Sequence, residues 1–134
     1  MDDKLKLELQ KYALKIRMAV IEGTYNAKSG HPGGSLSIAA IMAYLYAQEM
    51  HVNPQDPNWE DRDRLVLSKG HTAPALYGAL ALQGFFPLEE IPTLRKPNSR
   101  LQGHPSMRMT PGVDMSAGSL GQGISSAVGM ALGA

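Results

Sequence analysis

The sequence contains no cysteine and almost no net charge, and each absence excludes a class of protein. Without cysteine the chain has neither a disulfide framework nor a thiolate nucleophile. Thirteen basic and twelve acidic side chains leave a formal charge of +1. That balance provides no electrostatic basis for binding nucleic acid or an anionic membrane surface. We therefore expect a protein of a reducing compartment that binds neither nucleic acid nor membrane.

Long apolar runs are also missing. The longest, IAAIMAYLYA at residues 38–47, is half the ~20 residues that a membrane-spanning helix needs. The amino-terminal stretch MDDKLKLELQK is charged and helical in character, unlike a secretory signal with its apolar centre. A cytoplasmic location is the expectation that follows. The 134 residues suit one domain with a buried core, so we predict a single domain over residues 1–134.

The spacing of apolar residues predicts several helices separated by glycine-rich and proline-rich turns. Apolar side chains recur at helical spacing over residues 4–28, and SGHPGG ends that helix. Ser35 or Ser37 is then expected to cap a second, deeply packed helix over residues 36–49. PALYGALALQG predicts a third helix that ends at Gly84, and a short helix is expected over residues 88–94. The last segment predicts a helix whose small residues allow close packing against another backbone: Gly121, Ser125, Gly129 and Gly133.

The run LVL, residues 65–67, is short and apolar, which predicts a fully buried strand. It leads into SKGHTAP, where Thr72 and Pro74 are expected to begin the next helix. In open α/β sheets ligands bind beyond the carboxyl ends of strands, and helix N-termini attract anions. His71, with Lys69 beside it, would lie at such a place. From position alone, a histidine that merely satisfies the turn is an equal alternative.

The other three histidines stand in different contexts. SGHPGGSLS places His31 in a glycine-rich bend, and RLQGHPSMRMTPG places His104 in a second Gly-His-Pro sequence. The second lies in a loop over residues 95–119, long enough to be functional or disordered. One loop histidine is usually a solvated surface residue, but three beside glycine are harder to dismiss. His51, in QEMHVNP, is interpreted as a helix-end residue with no catalytic role.

Three common catalytic motifs fail on context. A zinc site lacks the H-E-x-x-H pattern and cysteine, and the histidines are far apart in sequence. A serine hydrolase would need a strand before Ser119 of AGSLG, with an acid and a histidine after it. GQGISS is one glycine short of a dinucleotide fingerprint and also lacks the preceding strand.

Four stretches together resemble one known family. In order along the chain they are SGHPGGSLS, DRDRLVLSKGHTAPALYGALALQG, RLQGHPSMRMTPGVDMSAGSLGQG and GMALGA. They resemble the amino-terminal, diphosphate-binding domain of transketolase, from about residue 14 to residue 134. The short leader resembles the split-gene forms, in which the two halves of the enzyme are separate polypeptides.

The resemblance implies a fold, a reaction and partners. The fold is an α/β thiamine-diphosphate-binding fold with a parallel sheet flanked by helices. The reaction is transfer of a two-carbon ketol unit from a ketose phosphate to an aldose phosphate, with thiamine diphosphate and Mg²⁺ as cofactors. The implied partners are sugar phosphates, a complementary carboxy-terminal half and a second copy in a homodimer.

The resemblance also implies roles for individual residues. His31 corresponds to a substrate-facing histidine that assists proton transfer at the sugar. His71 corresponds to one near the cofactor diphosphate and the reacting centre, and His104 to one that hydrogen-bonds the terminal hydroxyl of the donor. The stretch that borders the cofactor rings corresponds to Gly118, Ser119 and Leu120.

The family's metal motif, Gly-Asp-Gly with a downstream Asn, is absent from the sequence, as is the glutamate that activates the aminopyrimidine. We therefore predict no metal ligand in this chain, an incomplete domain and no activity in isolation. Two alternatives stay open. One is another thiamine-diphosphate enzyme, such as dihydroxyacetone synthase or deoxyxylulose-phosphate synthase, although SGHPGG and GSLGQG fit the latter less well. The other is a non-catalytic interaction module whose apolar helix faces dock a partner chain.

Overall fold

The structure, a computed structural model, describes residues 2–134. Within that range the α-helices span Asp3–Ala27 (α1), Pro32–Ser37 (α2), Ala39–Tyr44 (α3), Ala73–Gln83 (α4) and Gly123–Leu132 (α5). A π-helical turn, Leu45–Glu49, extends α3, and 3₁₀ turns cover Gly70–Thr72 and Leu88–Thr93. No helix among residues 2–134 is long and apolar enough to cross a membrane.

Helix α4 runs through the centre of the core, because every residue from Ala73 to Ala81 is buried. Helix α1 packs along it and also against α3. The two central helices approach closely at Gly78, where a β-carbon would lie 3.1 Å from the β-carbon of Ala19. Gly84 ends α4 with a φ of 93°, in the left-handed region that favours glycine. The predictions of α1 and α4 are confirmed. The buried stripe of α1 consists of Ala13, Ile16, Ala19, Val20 and Gly23.

The second predicted helix, residues 36–49, is wrong in its start and its continuity. Helical backbone begins at Pro32, because the fixed φ of proline suits the first helical position. The N-cap is therefore His31, and the predicted caps Ser35 and Ser37 lie inside α2. The helical path is then divided into α2, α3 and the π-helical turn.

Apolar side chains remain exposed on α3 and α5, and also on α1, where Leu14 and Met18 are 55% and 70% exposed. In α3, Ile41 and Tyr44 are 59% and 45% exposed, so the deep packing predicted there is wrong. Helix α5 is present as predicted, but the small residues expected to allow close packing are all exposed: Gly121, Ser125, Gly129 and Gly133. A β-carbon at Gly129 would have no atom within 4 Å.

The predicted α/β fold with a parallel sheet is contradicted, because no strand is present among residues 2–134. Residues 63–67 have no regular secondary structure, and the Leu65 N–H donates to a carboxylate oxygen of Asp114 at 2.9 Å instead of to a neighbouring strand. Of the run LVL only Leu67 is buried. A strand needs a partner that completes a ladder of backbone hydrogen bonds, and an apolar run carries no information about that partner.

The long loop over residues 95–119 is packed against the rest of the chain. Leu101 and Thr110 are buried in it, and the Thr110 hydroxyl donates to the Arg100 carbonyl at 2.7 Å. A short helix precedes the loop as predicted, in the form of the 3₁₀ turn Leu88–Thr93. Of the two expectations for this loop, a function or disorder, the packing is evidence against disorder.

Candidate functional site

Two of the three candidate histidines meet beside the start of α4. The rings of His31 and His71 pack edge to face, with centroids 5.1 Å apart and ring planes at 74°. His31 is the N-cap of α2, and His71 lies in the 3₁₀ turn that leads into α4. The structure thus brings together two glycine-rich turns that are distant in the sequence.

His31 is held through its backbone. The hydroxyl and the N–H of Ser35 both donate to the His31 carbonyl, at 2.9 and 3.3 Å. Ser35 is completely buried, whereas His31 is exposed. The serine therefore anchors the backbone while the imidazole remains accessible to solvent.

The turn that bears His71 is also closed by a hydroxyl. Thr72 donates to the Lys69 carbonyl through its hydroxyl and its N–H, each at 2.9 Å. Thr72 is the N-cap of α4 and Pro74 lies in the first turn, so the predicted helix start is confirmed. The Thr72 hydroxyl donates to a carbonyl three residues earlier, and this bond makes the turn rigid at the residue next to His71.

Glycine allows the two turns to come this close. A β-carbon at Gly34 would lie 2.8 Å from the Thr72 methyl carbon and 3.7 Å from Nε2 of His71. A β-carbon at Gly33, one residue earlier, would meet nothing within 4 Å. Nothing in the sequence separates these two glycines, because only the approach of the second turn distinguishes them.

The segment that precedes α5 borders the same turn. A β-carbon at Gly70 would lie 2.9 Å from the Ala117 carbonyl oxygen, and the Gly121 N–H donates to the Ser68 carbonyl at 3.0 Å. The Ser68 hydroxyl is buried there and has no hydrogen-bond partner among residues 2–134. Between these contacts lie three exposed residues: Gly118, Ser119 and Leu120.

His104 is joined to α4 through its backbone. The Tyr77 hydroxyl donates to the carbonyls of Gln102 and His104, at 2.9 and 3.1 Å. Burial raises the pKa of Tyr77 above its ordinary value, so its hydroxyl remains protonated and a donor well into the alkaline range. His104 itself is exposed. The contact of Tyr77 could not be predicted, since nothing in ALYGAL shows that its hydroxyl reaches a loop more than twenty residues later.

His51 lies outside this cluster of contacts, directly after the π-helical turn and its C-cap. Its N–H donates to the Asp63 carboxylate at 2.7 Å, and its Nδ1 lies 3.3 Å from the same oxygen. The bond from the His51 N–H lowers the pKa of Asp63. The predicted position at a helix end is confirmed, and the absence of a catalytic role stays a prediction.

The residues present do not fit a Mg²⁺ site. Residues 2–134 contain no group of three histidine, aspartate or glutamate side chains that could hold a metal ion. The buried Asp114 is occupied by Arg62 at 2.8 Å and by the Leu65 N–H. They fit part of an organic diphosphate cofactor better, because the buried Ser68 hydroxyl, which has no hydrogen-bond partner among residues 2–134, lies in the segment bordered by the exposed residues 118–120.

The sequence of this chain matches one family of known proteins. The family "Transketolase, thiamine diphosphate binding domain" matches residues 9–134. The 6-deoxy-6-sulfo-D-fructose transketolase subunit SqwG of Clostridium sp. (strain MSTE9) is 53% identical over 127 residues, which are 95% of this chain and 46% of that protein. Transketolase 1 of Escherichia coli (strain K12) is 44% identical over 118 residues, 87% of this chain and 18% of that protein.

Solved structures agree with the sequence matches. Transketolase from Leishmania mexicana superposes with a TM-score of 0.88 at 40% identity, over 92% of this chain and 18% of that chain. Transketolase from Pichia stipitis, in complex with sedoheptulose-7-phosphate, gives 0.88 at 38% identity with the same coverage. The chain spans less than half the length of each of these relatives. The resemblance drawn from the motifs is confirmed, and the chain belongs to the transketolase thiamine diphosphate binding domain family, matching the amino-terminal part of larger members.

Proposed function

We propose that this chain forms the diphosphate-binding part of a transketolase, which transfers a two-carbon ketol unit from a ketose phosphate to an aldose phosphate. The observation that carries the proposal is the ring contact between His31 and His71, which unites two motifs of the matched family segment. On this proposal the catalytic residues are His31, His71 and His104. The residues that contact the cofactor are His71, Gly118, Ser119 and Leu120.

On this proposal the histidine side chains orient the sugar and transfer protons to and from it. Thiamine diphosphate, when bound, supplies a nucleophilic carbon and an electron sink for cleavage of the carbon–carbon bond. His31 exchanges a proton with a sugar hydroxyl, from a backbone position held by Ser35. His104 donates a hydrogen bond to the terminal hydroxyl of the donor. Imidazole suits these roles because it can accept and donate protons near neutral pH.

The rest of the active site comes from elsewhere. The Mg²⁺ ligands lie outside residues 2–134, because Asp114 is already occupied and no other suitable group exists there. We propose a complementary carboxy-terminal half as the partner, in a homodimeric enzyme of the cytoplasm and the pentose phosphate pathway. The relative at 53% identity is described as a subunit, which supports a form split between two polypeptides.

A second donor class is supported by the name of that relative. The subunit from Clostridium belongs to a transketolase named for 6-deoxy-6-sulfo-D-fructose, and it is more similar to this chain than Escherichia coli transketolase 1 is. A sulfonated ketose is therefore a second candidate donor. Parallel assays with a ketose phosphate and a 6-sulfo ketose distinguish the two by their kcat/KM values.

Alanine substitution of the histidines tests the proposed catalytic roles. Residues 9–134 replace the matching segment of Escherichia coli transketolase 1, and the chimera is the reference. His31→Ala, His71→Ala and His104→Ala should each lower kcat/KM by roughly 10²–10⁴, the range for a lost proton-transfer partner. His51→Ala is the matched control and should change little. If His51→Ala is as damaging as His71→Ala, the proposed division of the histidines is wrong.

Cofactor binding by the 134-residue chain alone should be weak or undetectable. A helix N-terminus contributes only ~0.3–1 kcal/mol to an exposed anion, and a diphosphate needs a divalent cation that this chain has no cluster to hold. Titration calorimetry with thiamine diphosphate and Mg²⁺ measures this directly. Micromolar, metal-dependent binding would contradict the incomplete site.

A further inference from the structure

We infer that Lys69 is a positioning residue that holds the helix of His31 against the turn of His71. The inference rests on the proposed function, in which both imidazoles serve one reaction. The ammonium nitrogen of Lys69 donates to the Gly34 carbonyl at 3.2 Å and to the Ser37 hydroxyl at 3.4 Å. Both acceptors belong to α2, whose N-cap is His31. One side chain therefore joins the two elements that carry the imidazoles.

The two acceptors of Lys69 lie toward the carboxyl-terminal end of α2, where a cation is favourable. Helix α2 has only six residues, and carbonyls near the end of a helix have no intrahelical partner. A lysine at that end satisfies a carbonyl and interacts favourably with the helix dipole. The Ser37 hydroxyl donates to the Gly34 carbonyl at 2.8 Å, so both contacts of Lys69 meet at one point.

The other end of the link is rigid as well. The Lys69 carbonyl accepts two hydrogen bonds from Thr72, which is completely buried at the start of α4. The backbone of Lys69 is thereby tied to the central helix of the core, and His71 lies between Lys69 and Thr72. A shift of α2 relative to Lys69 is consequently also a shift relative to His71.

Helix α2 has little stability of its own. Its sequence, PGGSLS, contains two glycines, and glycine is among the least favourable helix residues. Gly34 also contributes no side chain to the contact with the second turn, since a β-carbon there would lie 2.8 Å from Thr72. The polar link from Lys69 therefore supplies an attachment that α2 cannot obtain from helix propensity or from a side chain at Gly34.

Nuclear Overhauser effects between the two imidazoles test the inference in the 134-residue chain without any cofactor. We expect cross-peaks between the ring protons of His31 and His71 in the wild type, a loss of at least fivefold in Lys69→Met, and substantial recovery in Lys69→Arg. Lys28→Met is the matched control, because it removes a lysine charge three residues before His31 in the sequence, and the Lys28 ammonium lies 3.7 Å from the centroid of the Tyr25 ring. Unchanged cross-peaks in Lys69→Met would overturn the inference.

A second variant covers the case in which Lys69→Met does not fold, as judged by circular dichroism. Ser37→Ala removes one of the two acceptors of Lys69 at an exposed position, together with the hydrogen bond from Ser37 to the Gly34 carbonyl, and leaves the lysine and the core in place. It should weaken the ring cross-peaks by about half. Unchanged cross-peaks in both Ser37→Ala and Lys69→Gln would overturn the inference.

The chimeric enzyme separates positioning from direct contact with the cofactor. Lys69→Met should lower kcat by roughly 10–100-fold, the scale expected for misplaced catalytic groups, and change the half-saturating concentration of thiamine diphosphate less than twofold. Lys69→Arg should recover most of the loss. A large rise in that concentration with little change in kcat would instead show a charge contact with the cofactor and overturn the positioning role. If the unsubstituted chimera is inactive, the proposed function fails while the ring measurement still decides the role of Lys69.

Discussion

Helices α4 and α5 are similar in sequence character and opposite in their surroundings. They contain 11 and 10 residues, both are predominantly apolar, and both begin beside the turn that carries His71. Nine residues of α4 are buried, whereas α5 buries only Gly123 among its described residues. A stripe before and along α5 is 55–84% exposed, and it consists of Leu120, Ile124, Val128 and Leu132.

The difference shows what apolar composition can and cannot indicate. Helix α4 lies between α1, α3 and the 3₁₀ turn Leu88–Thr93, so each of its faces has a neighbour. Helix α5 touches the turn at Ser68 through Gly123, where a β-carbon would lie 2.8 Å from the Ser68 α-carbon. Composition therefore indicates that a helix can be buried, and the number of elements around it decides whether it is.

The largest expected effect is on stability, from matched truncations in the two helices. Leu80→Ala in α4 removes a completely buried side chain and should lower the free energy of unfolding by ~2–5 kcal/mol. Val128→Ala in α5 removes a side chain that is 55% exposed and should change it by less than about 0.5 kcal/mol. Urea denaturation followed by circular dichroism measures both. Equal losses would mean that α5 is buried in solution and would remove the contrast.

Self-association is the next effect, because large exposed apolar patches mark interfaces or aggregation. The stripe of α5 should promote association of the 134-residue chain, and the pair Ile124→Glu with Val128→Glu should raise the dissociation constant at least about tenfold. That factor corresponds to about 1.4 kcal/mol, less than burial of one such side chain supplies. Sedimentation across a concentration series is the measurement.

Helix α1 provides the control for the association experiment. Leu14 and Met18 are 55% and 70% exposed, so the pair Leu14→Glu with Met18→Glu adds the same charge to a different apolar face. A larger effect of this pair would move the interface from α5 to α1. A monodisperse monomer in the unsubstituted chain would contradict association through either helix.

The smallest effect comes from two glycines inside the helices. Gly129→Ala in α5 meets no atom within 4 Å and should raise the free energy of unfolding by ~0.5–1 kcal/mol, the gain in helix propensity. Gly78→Ala in α4 brings a β-carbon to 3.1 Å from Ala19, so the same gain is offset and the net change should be zero or destabilising. Thermal unfolding of both variants decides the sign. A stabilising Gly78→Ala would show that α1 and α4 can separate without cost.

Some features of the candidate site could be predicted from the sequence, and others could not. The turns around His31, His71 and His104 follow from glycine and proline in the sequence, and the resemblance to transketolase implied the roles that we propose for them. The ring contact at 5.1 Å between His31 and His71 could not be predicted, because it depends on the path of α2. The contacts of Tyr77 and Lys69 share that origin, since each joins segments far apart in the chain.

The features that could be predicted from the sequence alone are those that depend on neighbouring residues. The bounds of α1 and α4, the stop at Gly84 and the helix start at Thr72 and Pro74 depend on residues within four positions of one another. The helical spacing of apolar residues over 4–28 also predicted α1, which spans Asp3–Ala27. The resemblance to the transketolase family also came from the sequence, through the order of its motifs, and the family match over residues 9–134 confirms it.

Strand pairing and helix burial depend on residues far away in the chain, so they could be read only from the folded structure. The segment at Leu65 has the composition of a strand, yet its N–H bonds to Asp114, almost fifty residues later. Helix α5 has the composition of a core helix, yet most of its surface faces no other element within residues 2–134. Strand pairing and burial each require a second segment at the right place. Hydrogen bonds within a helix close between near neighbours, so helix bounds can be predicted from a short stretch and partners cannot.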